Sequence, residues 1–71
     1  MMDIMLNETF GQRLKRIRKE RKLTQKEFAK IVGISHVHIC QYEKEKRTPN
    51  VATLEWICKA LGVTATEMLG F

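Results

Sequence analysis

One local pattern recurs three times in this chain: an apolar residue, a hydroxyl-bearing residue, and a second apolar residue four positions beyond the hydroxyl. Leu23-Thr24 with Phe28, Ile34-Ser35 with Ile39, and Val63-Thr64 with Met68 each set a capping hydroxyl between the two halves of a hydrophobic staple. Thr24 and Thr64 also have a glutamate at the third helical position, Glu27 and Glu67, which completes a capping box and satisfies otherwise unpaired backbone donors. Asn50, directly after Pro49, opens a further helix. Gly33 and Gly62 stand where helix C-termini need a residue at ease with positive φ. Because no stretch sustains an alternation of apolar and polar residues, nothing reads as a strand.

These signals predict five helices over 7–22, 25–32, 36–44, 51–61 and 65–69, joined by short loops. The turn Gly33-Ile34-Ser35, three residues with an apolar one in the middle, gives the second and third helices the grammar of a helix-turn-helix. At 71 residues the chain buries only about 60% of its unfolded surface. One core is possible, with little room for a cavity that keeps water from a reacting substrate. A binding module is expected rather than an enzyme, with no cofactor and no small-molecule substrate.

The formal net charge of +5 is concentrated: seven of the thirteen basic residues lie between Gln12 and Lys22. In that stretch Phe10, Leu14 and Ile17 recur at +4 and +3, which makes it an amphipathic helix with a basic remainder. A membrane-surface helix is the weaker reading, since the later helices offer the apolar stripe a partner. Cys40 and Cys58 are too few to form a disulfide framework, no apolar run approaches the roughly 20 residues of a bilayer span, and the N-terminus lacks a secretory leader pattern. A cytoplasmic protein is expected.

The third helix has two unlike faces. Ile39 and Tyr42 read as core, with Glu43 beside them, while His36, Val37, Cys40, Gln41 and Lys44 fall on the opposite side. Medium-length hydrogen-bonding side chains around one exposed β-branched residue suit base edges in a major groove, where Gln pairs with adenine and Val packs on thymine methyls. A merely solvated face is the plainer alternative, and the exposed hydrocarbon of Val37 argues against it. His36, His38 and Cys40 lack the fourth ligand of a zinc site, and no orienting group or pocket supports a Cys/His nucleophile. No metal is expected.

From Arg13 to Leu69 the chain resembles the lambdoid repressor and Cro (XRE-type) helix-turn-helix domains of bacteria and their phages. The resemblance rests on Thr24-Gln25, Ala29, Gly33-Ile34-Ser35, Ile39, Glu43, Pro49 and Leu61-Gly62-Val63. It implies a compact, all-α, five-helix fold and puts His36, Val37 and Gln41 at base-reading positions. It places Thr24, Gln25, His38, Lys44, Lys46 and Arg47 at or beside phosphate-contacting positions, Gln25 with the alternative of bracing the third helix. It also implies an internal ion pair between Arg18 and Glu43, each of which borders the core stripe of its own helix.

Two positions depart from that pattern. Glu45 stands where such domains usually carry glycine, so it either bears a strain of about 1 kcal/mol in a left-handed conformation or lets the third helix run on. Trp56 falls nearly opposite the stripe Leu54, Ile57, Cys58 and Leu61, which predicts an exposed indole. It either lies flat on the surface, covered by lysine stems or by Ile4-Met5-Leu6, or serves as a protein contact. The expected organisation is an apolar N-terminal arm over residues 1–7 and a DNA-binding domain over 8–71. The implied activity is transcriptional regulation by a homodimer that represses from a near-palindromic double-stranded operator; the alternative is an antitoxin or other protein-interaction module on the same fold.

Overall fold

A computed structural model describes residues 8–69 and contains five helices among them: α1 Phe10–Glu20, α2 Gln25–Val32, α3 His36–Glu43, α4 Val51–Leu61 and α5 Ala65–Leu69. The expected arm over 1–7 lies outside the described residues. All five starts follow from side-chain caps, four of them at the residues the sequence predicts. Thr24 Oγ1 accepts from the Glu27 N–H (3.1 Å) and Glu27 returns a carboxylate to the Thr24 N–H (2.8 Å). Thr64 and Glu67 repeat the arrangement, Ser35 caps through the His38 N–H, and Asn50 through that of Thr53.

The first helix is shorter than expected at both ends. It begins at Phe10 because Thr9 and Gln12 form a third capping box. It stops at Glu20 because Lys22 turns left-handed at φ 58°, letting the Leu23 N–H reach the Arg18 carbonyl at 3.2 Å. Helix α3 also ends one residue early, at Glu43, since Glu45 adopts φ 61°. Gly33 and Gly62 take the same conformation at φ 79° and 71° without steric penalty. Relieving the exposed Lys22 with glycine is therefore expected to stabilise the fold. The left-handed penalty of about 1–2 kcal/mol is offset in part by the greater freedom of unfolded glycine, leaving a gain of about 0.5–1 kcal/mol. A urea midpoint that stays put or falls in Lys22→Gly would contradict this.

The core is one cluster of Leu14, Ile17, Phe28, Ala29, Val32, Ile39, Tyr42, Ile57, Cys58, Leu61 and Met68, with Phe10, Leu23, Ile34, Leu54 and Val63 packed around it. Helix α1 packs on α3 and α5, α2 on α3 and α4, and α4 on α5. Burial pushes the Cys58 thiol above its ordinary value, as do the charges of Glu55 and Glu67, and it behaves as a small apolar filler. Gly11 lets α1 come close to the end of α3: a Cβ there would stand 2.2 Å from the Tyr42 carbonyl oxygen. No helix of the described residues is long and apolar enough to cross a membrane.

Candidate nucleic-acid interface

The turn Gly33-Ile34-Ser35 positions α3. Gly33 supplies the left-handed residue, Ile34 is half-buried against the core, and Ser35 caps the new helix. Ile39 and Tyr42 then anchor α3 inward, Tyr42 meeting the Phe10 ring edge-on with centroids 5.9 Å apart. The outward face carries His36, exposed, Val37, exposed at 61%, and Gln41, half-buried. His38 sits lower on the helix, half-buried, with its ring tilted toward Tyr42 at 6.4 Å.

A buried brace stands behind this helix. Arg18 grips Glu43 through Nε to Oε2 (2.7 Å) and Nη2 to Oε1 (3.0 Å), and its Nη1 donates to the Leu23 carbonyl at 2.9 Å. Gln25, at the start of α2, donates from Nε2 to the same carboxylate oxygen at 3.0 Å. This bond is the bracing contact considered for Gln25. Three helices thus meet on one carboxylate whose side chain is only 3% exposed. Desolvation would raise the carboxyl's pKa, but hydrogen bonds from Arg18 and Gln25, with the charges of Arg18 and Lys15, bring it below its ordinary value. Lys15 is the residue the sequence left undistinguished among the basic run. Its spacing of three before Arg18 is the signal in the sequence that its charge acts on Glu43.

Beyond α3 the chain folds back on itself. The Glu45 N–H donates to the Tyr42 carbonyl (3.0 Å) and the Lys46 N–H to that of Gln41 (2.8 Å), while the Thr9 hydroxyl donates to the Glu45 carboxylate at 2.9 Å. Lys44, Lys46 and Arg47 are all exposed on this loop, and Arg47 Nε donates to Gln41 Oε1 at 2.9 Å. Thr24 is exposed at the N-terminus of α2 with its hydroxyl engaged in the cap. The arginines of α1 and its C-cap are largely occupied by the fold: Arg13 and Arg16 pair with Glu8 at 3.4 and 3.0 Å, and the capping Arg21 donates to the Leu61 carbonyl at 2.8 Å.

Trp56 is 54% exposed, yet its Nε1 donates to the Val32 carbonyl at the end of α2, and its ring lies over Gly33, where a Cβ would stand 3.5 Å from Nε1. The indole is therefore a cap on the first helix of the helix-turn-helix as well as a surface residue. Among the described residues no group of three or more His, Cys, Asp or Glu side chains is placed to hold a metal ion.

The helix-turn-helix family matches residues 14–68. The immunity repressor protein of Bacillus phage phi105 is 40% identical over 62 residues, which cover 87% of this chain and 43% of the phage protein. Antitoxin PezA of Streptococcus pneumoniae is 35% identical over 60 residues, 84% of this chain and 38% of the antitoxin. The chain thus spans less than half the length of either protein. Among solved structures, the c2 repressor of Salmonella phage P22 in complex with a synthetic operator superposes with a TM-score of 0.78 at 33% identity, covering 89% of this chain and 96% of that one.

Proposed function

The chain belongs to the helix-turn-helix family, and on that premise we propose that it is a sequence-specific repressor of transcription that binds double-stranded DNA as a homodimer. Helix α3 enters the major groove, His36, Val37 and Gln41 read base edges, and Thr24, Lys44, Lys46 and Arg47 meet phosphates. His38, half-buried, contributes at the edge of the phosphate contacts. A pair of α3 helices about 34 Å apart would read successive half-sites of a near-palindrome, and repression follows by occluding polymerase.

The observation that carries this reading is the contrast between the two sides of α3. Its inner side is fixed by a buried, bidentate ion pair that three helices share. Its outer side leaves Val37 in water although the fold gains nothing from exposing it. Selection of bound sequences from random duplex DNA near 0.15 M salt, where purely electrostatic binding is weak, gives the operator. On that operator Gln41→Ala is expected to cost about 1–3 kcal/mol and to relax discrimination at one base position. Equal weakening on every sequence would remove Gln41 from the reading set.

The likeness to antitoxin PezA favours a second reading, a module whose principal partner is a protein. A DNA-shift assay run beside capture of partners from the native host separates the two. Tight, sequence-selective DNA binding by the isolated chain supports the first.

A further inference from the structure

Arg47 stands apart from the other loop cations because it spends its Nε on a base-reading residue, donating to Gln41 Oε1 at 2.9 Å. A guanidinium only donates hydrogen bonds, so the amide oxygen of Gln41 must be the atom that faces it, and the amide nitrogen is turned the other way. A free glutamine amide flips between two orientations that exchange donor and acceptor. Here the flip is opposed from a loop that is itself held at two places. The Lys46 N–H closes on the Gln41 carbonyl at 2.8 Å, and Glu45, one residue earlier, takes the Thr9 hydroxyl at 2.9 Å.

We infer that Arg47 is a specificity-determining residue that acts through Gln41, fixing the amide so that its N–H groups lead into the groove. The inference rests on the reading of α3 as the helix that enters the major groove. A leading donor matches bases that offer an acceptor there, the N7 and O6 of guanine, the N7 of adenine or the O4 of thymine. Cytosine offers only its N4 amino donor, so cytosine is the base rejected at the Gln41 position. Arg47 keeps its Nη groups for a phosphate, which couples the backbone contact to the base contact beside it.

The test compares Gln41→Ala, Arg47→Ala and Lys46→Ala on four duplexes that differ only at the base position relaxed by Gln41→Ala. Arg47 and Lys46 are both exposed, so neither truncation removes core. Wild type should bind the cytosine duplex least. Arg47→Ala frees the amide to turn its oxygen forward, and the penalty against cytosine should fall at least about fivefold. Lys46→Ala removes the same charge from the same loop and should weaken all four duplexes alike. A uniform loss in Arg47→Ala, matching that of Lys46→Ala, overturns the inference, as does a wild-type preference for cytosine. If Gln41→Ala relaxes no position at all, the reading of α3 falls and takes this inference with it. If Gln41→Ala relaxes a position that Arg47→Ala leaves unchanged, the inference alone fails.

Discussion

Replacing Glu43 with alanine should lower the stability of the domain by about 3–5 kcal/mol, the range found when one partner of a buried ion pair is removed. A chain of this length is stable by roughly 4–10 kcal/mol in total, so the variant should sit near the edge of folding. The large effect comes from what stays behind. Arg18 is 8% exposed, and without the carboxylate its guanidinium keeps only the Leu23 carbonyl among the partners described. Truncation also strands the Gln25 amide. Replacing both charges, as in Arg18→Met with Glu43→Leu, should recover much of the loss, because the pair's mutual attraction largely offsets the cost of burying it.

The same carboxylate sets a pH dependence. Burial raises its pKa, but the hydrogen bonds from Arg18 and Gln25 together with the charges of Arg18 and Lys15 leave it lowered overall in the folded state. A group of this kind contributes stability that is complete above its unfolded value, about 4.3, and that is lost as pH falls through the lower folded value. Urea midpoints measured from pH 7 to pH 3 should hold steady to about pH 5 and then decline. Glu43→Gln should decline less steeply over that acid range. Parallel curves for the two proteins would show that the ion pair contributes nothing to acid sensitivity.

Gly11→Ala is expected to be the other severe substitution, although alanine is the better helix former by about 1 kcal/mol. The added methyl would lie 2.2 Å from the Tyr42 carbonyl oxygen and 3.3 Å from that of Glu43. Both are backbone atoms at the end of α3, so relief requires the helices to separate rather than a side chain to turn. Overpacking of this kind costs about 1–3 kcal/mol and occasionally more, and a net loss of about 2 kcal/mol should appear in chemical denaturation. A loss below about 0.5 kcal/mol would mean that α1 has slack against α3. The Thr9 hydroxyl that holds Glu45 lies at the same end of α1, so the variant should also loosen the loop bearing Lys44, Lys46 and Arg47.

The helix starts at Gln25, His36, Val51 and Ala65 are legible in the sequence because a single side-chain oxygen fixes each and the rule is local. Thr9 escaped for a local reason too: the residue before it is Glu8, so it lacks the apolar half of a staple although Gln12 completes its capping box. The left-handed Lys22 has no signature in its residue type. Glu45 has none either, but the resemblance marked its position, and of the two outcomes considered there the left-handed one is found. Periodicity exposes Trp56 without revealing that its N–H reaches the Val32 carbonyl, because that bond depends on how α4 lies against the end of α2. The Arg47–Gln41 bond joins residues six apart across a helix end, and only the reversal of the chain at Glu45 and Lys46 makes it possible.

Trp56 is the chain's single tryptophan, and its indole is bonded to the last carbonyl of α2, directly before the turn. All tryptophan emission therefore comes from one indole, seated on the joint between α2 and α4, and it is separable from that of Tyr42 by selective excitation, while His36, Val37 and Gln41 are not fluorescent. Its emission is an optical gauge of whether the first helix of the motif is docked, and it can be read while the reading helix is mutated without adding or removing a chromophore.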